Sequence, residues 1–125
     1  EEVLFNLAEA YAYSGQPANA IALLNTYLST RLQGYSAANI LTEAKINSYW
    51  GTSDIQTGLI NTILAYKRTE FVHEGLRWFD ILRYKLTVTH TTQGGETYVL
   101  GPDDPRRLFQ IPATAKQSGV EQNPR

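Results

Sequence analysis

Apolar side chains recur at intervals of three and four residues in the first part of the chain, which is the spacing of one face of a helix. The first face consists of Leu4, Leu7, Ala8 and Tyr11. A second face follows over residues 20–28. Between them, Gly15 suits the left-handed position after a helix, and Pro17 suits the first turn of the next one. The pattern therefore predicts a helical hairpin with a short loop.

Small and aromatic residues of this hairpin fit the spacing of a tetratricopeptide repeat. They are Ala8, Tyr11, Gly15 and Ala20. The sequence shows one copy, whereas a solenoid needs about three or more repeats. An ordinary packed helix pair in a larger α domain is the alternative.

Residues 34–50 predict a short helix with weaker periodicity, and Gly51 is expected to end it. Thr52 or Ser53 is then expected to cap a further helix, with Asp54 in its first turn. The apolar stripe of that helix contains Leu59, Ile60, Ile63 and Leu64.

Residues 70–83, "EFVHEGLRWFDILR", keep the helical period and are predicted to form one helix with an apolar and a charged side. The apolar side holds Phe71, Val72, Gly75, Leu76, Trp78, Phe79 and Leu82. The charged side holds Glu70, His73, Glu74, Arg77 and Asp80. Glycine inside a helix costs about 1 kcal/mol relative to alanine, so Gly75 indicates the close approach of another backbone, or a kink. Among the charged residues, Arg77 and Arg83 are predicted to anchor the irregular end of the chain onto this helix. A solvated charged face is the alternative.

After Tyr84 the pattern changes. The β-branched stretches "LTVTH" and "TYVL" flank "TTQGGE" and predict a β-hairpin. A turn-rich loop, a short extended piece and an irregular tail follow it. The predicted fold class is mainly α, with a tetratricopeptide-like helical hairpin, the helix over residues 70–83, a small β-hairpin and an irregular C-terminal tail.

The chain has 125 residues, 42% of them hydrophobic, which predicts a single domain over residues 1–125. A net charge of -1 gives no electrostatic footprint for nucleic acid or anionic lipid. The lack of cysteine excludes disulfides and thiolate metal sites. Because methionine is also absent and the first residues already follow a helical pattern, the chain is expected to be the C-terminal part of a longer protein.

Catalytic motifs find no support in the sequence. His73 and Glu74 do not form the zinc-binding H-E-x-x-H motif, since position 77 is arginine. A phosphate-binding loop and a G-x-S-x-G nucleophile elbow are both missing from the sequence. Asp103 and Asp104 have the composition of an ordinary turn. The protein is therefore predicted not to be an enzyme, with no catalytic residue, metal site or cofactor.

The stretch "RTEFVHEGLRWFDILR" resembles the signature helix of the RagB/SusD family, the outer-membrane nutrient-binding lipoproteins of Bacteroidetes. The matching residues are Glu70, Phe71, Glu74, Gly75, Arg77, Trp78, Asp80 and Arg83. Tyr66 and Lys67 depart from the opening Glu-Arg of that signature. "FNLAEAYAYSGQPANAIALLNTYLSTR" is similar to the family's helical hairpin, and "LFQIPATAKQSGVEQNPR" to its terminal segment. The resemblance implies that Glu70, Glu74, Gly75, Arg77, Asp80 and Arg83 are a structural signature rather than a binding site.

The resemblance also implies a cellular role. Family members are lipid-anchored through an N-terminal cysteine, sit at the cell surface over a TonB-dependent outer-membrane transporter, and capture oligosaccharides or peptides for import. This chain is accordingly expected to be the C-terminal portion of such a protein, with its anchor in a missing N-terminal segment.

Ligand contacts within this chain are expected from aromatic and amide side chains in its least family-like part. These candidates are Tyr35, Asn47, Tyr49 and Trp50. The alternative for Tyr49 and Trp50 is that they pack the end of a helix. Trp78 lies on the predicted apolar side and is expected to belong to the core.

Two other functions stay open at this point. The first is a tetratricopeptide-like adaptor that binds a peptide or protein partner in a helical groove. In the second, this part of the chain is a scaffold facing the transporter, and the ligand site lies in the missing part.

Overall fold

The computed structural model describes residues 1–123, which fall into two compact units, residues 1–73 and the chain from Glu74 onward. The first unit contains the helices α1 (Glu2–Tyr13), α2 (Pro17–Arg31), α3 (Glu43–Trp50) and α4 (Ile55–Glu70) and a 3-10 turn (Ala37–Asn39). The second contains α5 (Arg77–Arg83), the antiparallel strands β1 (Val88–Thr91) and β2 (Thr97–Leu100), and 3-10 turns at Pro105–Arg107 and Ala113–Ser118. The mainly helical fold with a small β-hairpin is confirmed. The single domain over residues 1–125 stays a prediction.

The loop between α1 and α2 has the conformation that its sequence predicts. Gly15 adopts a left-handed φ of +68°. The N–H of Gln16 donates to the carbonyl of Tyr11 at 2.9 Å, which satisfies one of the last carbonyls of α1. Pro17 is the first residue of α2. The helical hairpin is therefore fixed by local signals.

The core of the first unit is formed by α1, α2 and α4, with Ile46 added from α3. Its buried apolar residues are Phe5, Ala8, Ala12, Ala20, Leu24, Tyr27, Leu28, Ile46, Leu59, Ile60, Ile63 and Leu64. The stripe predicted for α4 is confirmed. The face predicted for α1 is wrong in part, because Phe5 is fully buried and Leu7 is exposed. The buried face of α1 combines the large ring of Phe5 with the small side chains of Ala8 and Ala12. The two alanines let neighbouring helices approach closely, and the Phe5 ring fills the space between these helices.

The turn from α3 to α4 differs by one residue from the prediction. Gly51 ends α3 with a φ of +62°, as expected. Asp54, rather than Thr52 or Ser53, caps α4, because its carboxylate accepts hydrogen bonds from the N–H groups of Gln56 at 3.1 Å and Thr57 at 3.3 Å. The hydroxyl of Thr57 and these two N–H groups hold the pKa of Asp54 below its usual value.

Close contact between α3 and α4 depends on Gly58. A Cβ atom at this position would lie 2.7 Å from the Cγ2 methyl of Ile46 and 3.4 Å from the Oδ1 atom of Asn47. A side chain would therefore have to displace the buried Ile46, which is stiff because it is branched at Cβ. The absence of a side chain at Gly58 brings the two helices together.

An ion-pair network joins the C-terminal ends of α2 and α4. Arg31 donates to both carboxylate oxygens of Glu70, at 2.7 Å from Nη2 and 3.0 Å from Nε, and also contacts Glu1. The hydroxyl of Tyr27 donates to Glu70 at 2.9 Å. Burial and this bond to a carboxylate raise the pKa of Tyr27 to about 12. The hydrogen bond from Arg31 lowers the pKa of Glu70 below its ordinary 4.5.

We expect Glu70→Gln to flatten the acid side of the stability profile of this unit. A carboxylate whose pKa is lower in the folded than in the unfolded state stabilises the fold above the unfolded pKa, and this contribution disappears as pH falls through the folded pKa. The wild-type chain should therefore exceed the variant in free energy of unfolding at about pH 7, and this gap should be smaller at about pH 3, below the ordinary pKa of 4.5. Urea unfolding at both values measures this, with Glu121→Gln in the second unit as the control. A gap of the same size at both pH values would contradict it.

Residues 70–83 do not form one helix, so the prediction of a continuous signature helix is wrong. The helix α4 ends at Glu70 and α5 begins at Arg77. Between them the chain turns, with left-handed φ values of +67° at His73 and +78° at Gly75. A Cβ atom at Gly75 would meet nothing within 4 Å. Gly75 is therefore explained by backbone conformation and not by the close approach of another chain segment.

The break also changes which side chains of α5 are buried. Asp80, placed on the charged side of a continuous helix, is 4% exposed, whereas Phe79, placed on the apolar side, is 66% exposed. Trp78, expected in the core, is partly buried. Two left-handed residues do not rotate the chain as two helical residues would. The side-chain directions predicted for a continuous helix therefore do not hold after Phe71.

Arg107 organises the irregular part of the second unit. Its buried guanidinium donates to four backbone carbonyls, those of Gly101 at 2.6 Å, Leu86 at 2.6 Å, Ile81 at 3.0 Å and Leu100 at 3.4 Å. It thus connects the end of α5, the strand β2 and the loop that follows. Sequence reasoning assigned this anchoring role to other arginines.

The tail-anchoring prediction for Arg77 and Arg83 concerns the irregular tail, residues 118–125, of which 124–125 lie outside the described residues, and it stays a prediction. Within the described part, Arg77 lies 3.8 Å from Asp80, and the guanidinium of Arg83 lies 5.2 Å from the ring centre of Tyr84.

The described part of the tail is held by amide side chains. Gln110 donates to the carbonyl of Asn123 at 3.1 Å and accepts from its N–H at 2.9 Å. Asn123 in turn donates to the carbonyl of Phe109 at 2.8 Å, and Gln122 to that of Ile111 at 3.0 Å. The extended piece over residues 108–112 is therefore paired with the tail through side chains.

Candidate functional site

A groove of about 370 Å³ opens between α3 and α4. It is lined by Leu41, Lys45, Ile46, Tyr49, Trp50, Thr62, Ala65 and Tyr66. Lys45 and Tyr49 are four residues apart on α3, as are Ile46 and Trp50, so each pair stands on one side of the helix. A concave, mostly apolar surface with a few polar groups is the usual form of a small-molecule site.

Trp50 forms a fixed wall of this groove. Its indole Nε1–H donates to the hydroxyl oxygen of Thr62 at 2.8 Å, and that hydroxyl donates to the carbonyl of Gly58 at 2.8 Å. The polar atom of the ring is thus bound within the protein. What the ring can offer to a ligand is its apolar surface.

Tyr49 is the most exposed aromatic residue of the groove, with 79% of its surface accessible. Its ring meets that of Trp50 edge to face, with centroids 4.9 Å apart and an interplanar angle of 87°. The two rings are therefore nearly perpendicular, and the ring of Tyr49 faces solvent. Such an exposed ring, held by a partly buried neighbour, can stack on a flat ligand without reorganising the core.

Tyr66 closes the groove on the α4 side. Its ring lies 5.6 Å from that of Tyr27, and it is half-buried. Burial raises the pKa of Tyr66, with a smaller contribution from Tyr49. The hydroxyl of Tyr66 therefore stays protonated and can donate a hydrogen bond.

Lys45 supplies the charge at the groove. Its ammonium group donates to the carbonyls of Ala38 at 2.8 Å and Ile40 at 2.7 Å. These bonds hold the side chain against the segment before α3. They also occupy two of its three N–H donors.

The structure brings two of the four predicted ligand-binding residues together and places the other two elsewhere. Tyr49 and Trp50 line the groove. Tyr35 is not among the lining residues; its hydroxyl donates to Asn25 at 3.3 Å, and Asn25 in turn bonds the backbone of Leu41 at the edge of the groove. Asn47 is directed toward Gly58. Ligand binding by these residues stays a prediction.

Three lining residues with polar groups were missed by sequence reasoning: Lys45, Thr62 and Tyr66. Lys45 could have been found as the residue one helical turn before Tyr49. Tyr66 could have been found in another way, because it replaces the glutamate with which the family signature opens. Thr62 gave no signal, since the contact with Trp50 arises from helix packing.

The signature residues occupy a different part of the chain. Glu70 ends α4 in the network with Arg31. Glu74 and Gly75 lie in the turn, and Arg77 to Arg83 form α5. None of them lines the groove, which fits a structural role.

Comparison with known protein families matches residues 2–124 to the SusD family. The chain belongs to the SusD family. SusD-family proteins are, in general, nutrient- and glycan-binding proteins of the outer membrane that work with TonB-dependent transporters. No curated protein and no solved structure matches the chain.

Two further observations bear on the chemistry of this SusD-family chain. Within residues 1–123, no group of three histidine, cysteine, aspartate or glutamate side chains is placed to hold a metal ion. In the same residues, no helix has both the length and the apolar composition to cross a membrane. The groove between α3 and α4 has the form of a binding site.

Proposed function

We propose that this SusD-family chain is part of a non-catalytic nutrient-capture protein that binds oligosaccharides, through the groove between α3 and α4, for import through a TonB-dependent transporter. Lipid anchoring at the cell surface through a segment outside this chain belongs to the same proposal. The observation that carries it is the exposed ring of Tyr49, held edge to face by Trp50 at the groove.

Saccharides suit this arrangement because one side of a pyranose ring is largely apolar and its rim carries hydroxyls. The apolar side can lie on the Tyr49 ring, as apolar ligand surfaces do on aromatic walls. The phenol groups of Tyr49 and Tyr66 can exchange hydrogen bonds with the sugar hydroxyls. The Trp50 ring needs no such partner, since its N–H is already bound to Thr62.

Tyr49→Ala should weaken saccharide binding by roughly tenfold or more, as loss of an aromatic anchor does, and leave the fold unchanged. The chain is screened against an oligosaccharide panel, and affinities are measured by calorimetry for those that bind. Tyr98→Ala, which removes an exposed tyrosine from the second unit, is the matched control. Tyr49→Phe should retain most of the affinity. Saccharide binding that Tyr49→Ala leaves unchanged would overturn this site, and the absence of any saccharide binding would overturn the proposed function.

The second candidate is an adaptor that binds a peptide in a helical groove. It is favoured by the α3–α4 pair, which adds a second helical hairpin to the one formed by α1 and α2. Binding of extended peptides, but of no saccharide, at a Tyr49-dependent site would support the adaptor.

A further inference from the structure

We propose that the groove between α3 and α4 takes an acidic saccharide, with a sugar carboxylate bound by Lys45 and the sugar ring stacked on Tyr49. This inference rests on the proposed function and names the class of sugar. It concerns a uronate-type carboxylate within an oligosaccharide.

The charge of the lining residues is the first argument. Among the described residues that line the groove, Lys45 carries a positive charge and no side chain carries a negative one. The nearest acid along α4, Glu70, lies one turn beyond Tyr66 and is occupied by Arg31 and Tyr27. A cation in a partly apolar groove without a neutralising acid favours an anionic ligand over a neutral or cationic one.

The position of the ammonium group is the second argument. Bonds to the carbonyls of Ala38 and Ile40, at 2.8 and 2.7 Å, restrain a side chain that is otherwise flexible. One N–H donor is left for a ligand. A restrained ammonium group loses little conformational entropy when it binds a carboxylate, which favours affinity.

The other polar atoms of the groove give the third argument. The indole N–H of Trp50 and the hydroxyl of Thr62 are already engaged with each other and with Gly58. Within the described residues, the hydroxyls of Tyr49 and Tyr66 make no hydrogen bond. The groups that remain, an ammonium group and two phenols that can donate, match the acceptor oxygens of a carboxylate.

The test compares ligands with the same sugar rings and linkages, whose carboxyl groups are either charged or esterified. Trisaccharides of galacturonate, glucuronate and mannuronate are titrated into the chain, each paired with its methyl ester, and neutral trisaccharides are included. We expect at least one acid to bind roughly tenfold tighter than its ester, a preference that shrinks as salt is raised. Equal affinity of acid and ester, or binding of neutral sugars alone, would overturn the inference and leave the proposed function intact. Failure of every saccharide to bind would overturn both.

Variants of Lys45 locate the effect. Lys45→Gln should reduce the ratio of acid affinity to ester affinity to near one, while Lys45→Arg should retain most of the preference because it keeps the charge. The ratio is used because the loss of the Ala38 and Ile40 tethers can change both affinities together. Lys116→Gln in the second unit is the matched control. An acid preference that persists in Lys45→Gln would overturn the assignment.

Discussion

We expect Arg107→Ala to lower the free energy of unfolding of the second unit by about 3 kcal/mol or more, because it removes a buried guanidinium that donates to four backbone carbonyls. Four carbonyls lose the bond from this guanidinium, those of Ile81, Leu86, Leu100 and Gly101. The carbonyls of Ile81 and Gly101 keep a backbone N–H donor, at 3.0 and 3.3 Å. These groups belong to different segments, and the α5 end, the β2 end and the loop after it are joined by the same guanidinium. The loss should therefore loosen all three.

Arg107→Lys tests the geometry of this anchor. Lysine keeps the charge, but an ammonium group has three donors around one point and lacks the planar fork that reaches carbonyls in different directions. We expect it to restore less than half of the stability lost in the alanine variant.

The measurement uses the two tryptophans of the chain, one in each unit. In a Trp50→Phe background, the fluorescence of Trp78 reports unfolding of the second unit in urea. Arg106→Ala is the matched control, since Arg106 is adjacent and half exposed, and it should have a much smaller effect. Equal losses from Arg106→Ala and Arg107→Ala would show that the four carbonyl bonds do not stabilise the unit.

The parts of the fold that the sequence predicts are those set by neighbouring residues. The α1–α2 hairpin follows from Gly15 and Pro17, whose backbone preferences act within one turn. The stripe of α4 follows from four apolar residues at helical spacing, and the β-hairpin from β-branched stretches around a glycine-rich turn. These signals are local, so no knowledge of packing was needed to use them.

The segment 70–83 shows where such reasoning fails. Its residues keep a helical period, but His73 takes a left-handed conformation that non-glycine residues rarely adopt. Gly75 was the visible signal, but both explanations offered for it, a close backbone approach or a kink, kept one helix because the apolar pattern continued on both sides. The family resemblance named the signature residues of this segment without indicating the turn. Periodicity cannot distinguish a continuous helix from two helices when the residues that connect them also follow the helical spacing of apolar positions in the sequence.

The candidate site was predicted to the extent that its residues are adjacent in the chain. Tyr49 and Trp50 are neighbours on α3, and both line the groove. Tyr66 and Thr62 arrive from α4 because Gly58 lets the two helices pack closely, and this is a tertiary effect. The ammonium group of Lys45 is held by carbonyls of the preceding loop, and the sequence does not define the path of that loop.

We expect Phe5→Ala to lower the free energy of unfolding of the first unit by about 3–5 kcal/mol, the range for deleting a fully buried phenylalanine ring. The ring of Phe5 lies edge to face on Tyr27, with centroids 4.9 Å apart, and on Phe71, with centroids 5.9 Å apart. The cavity would border α1, α2 and the residue after α4, so no single helix can move to fill it. Aromatic pairs of this kind add to the loss from burial alone.

The effect should reach the ion-pair network through Tyr27. Its ring rests on Phe5 while its hydroxyl is bound to Glu70, and burial is the main reason that its pKa is raised to about 12. Water in the cavity left by Phe5→Ala would return the pKa of Tyr27 toward its ordinary 10.0, which NMR of the labelled tyrosine ring can follow. Val3→Ala is the matched control, because Val3 is on the same helix and 80% exposed, and it should change stability by less than about 0.5 kcal/mol. A loss below about 1.5 kcal/mol for Phe5→Ala, with the pKa of Tyr27 unchanged, would mean that the three helices close around the missing ring.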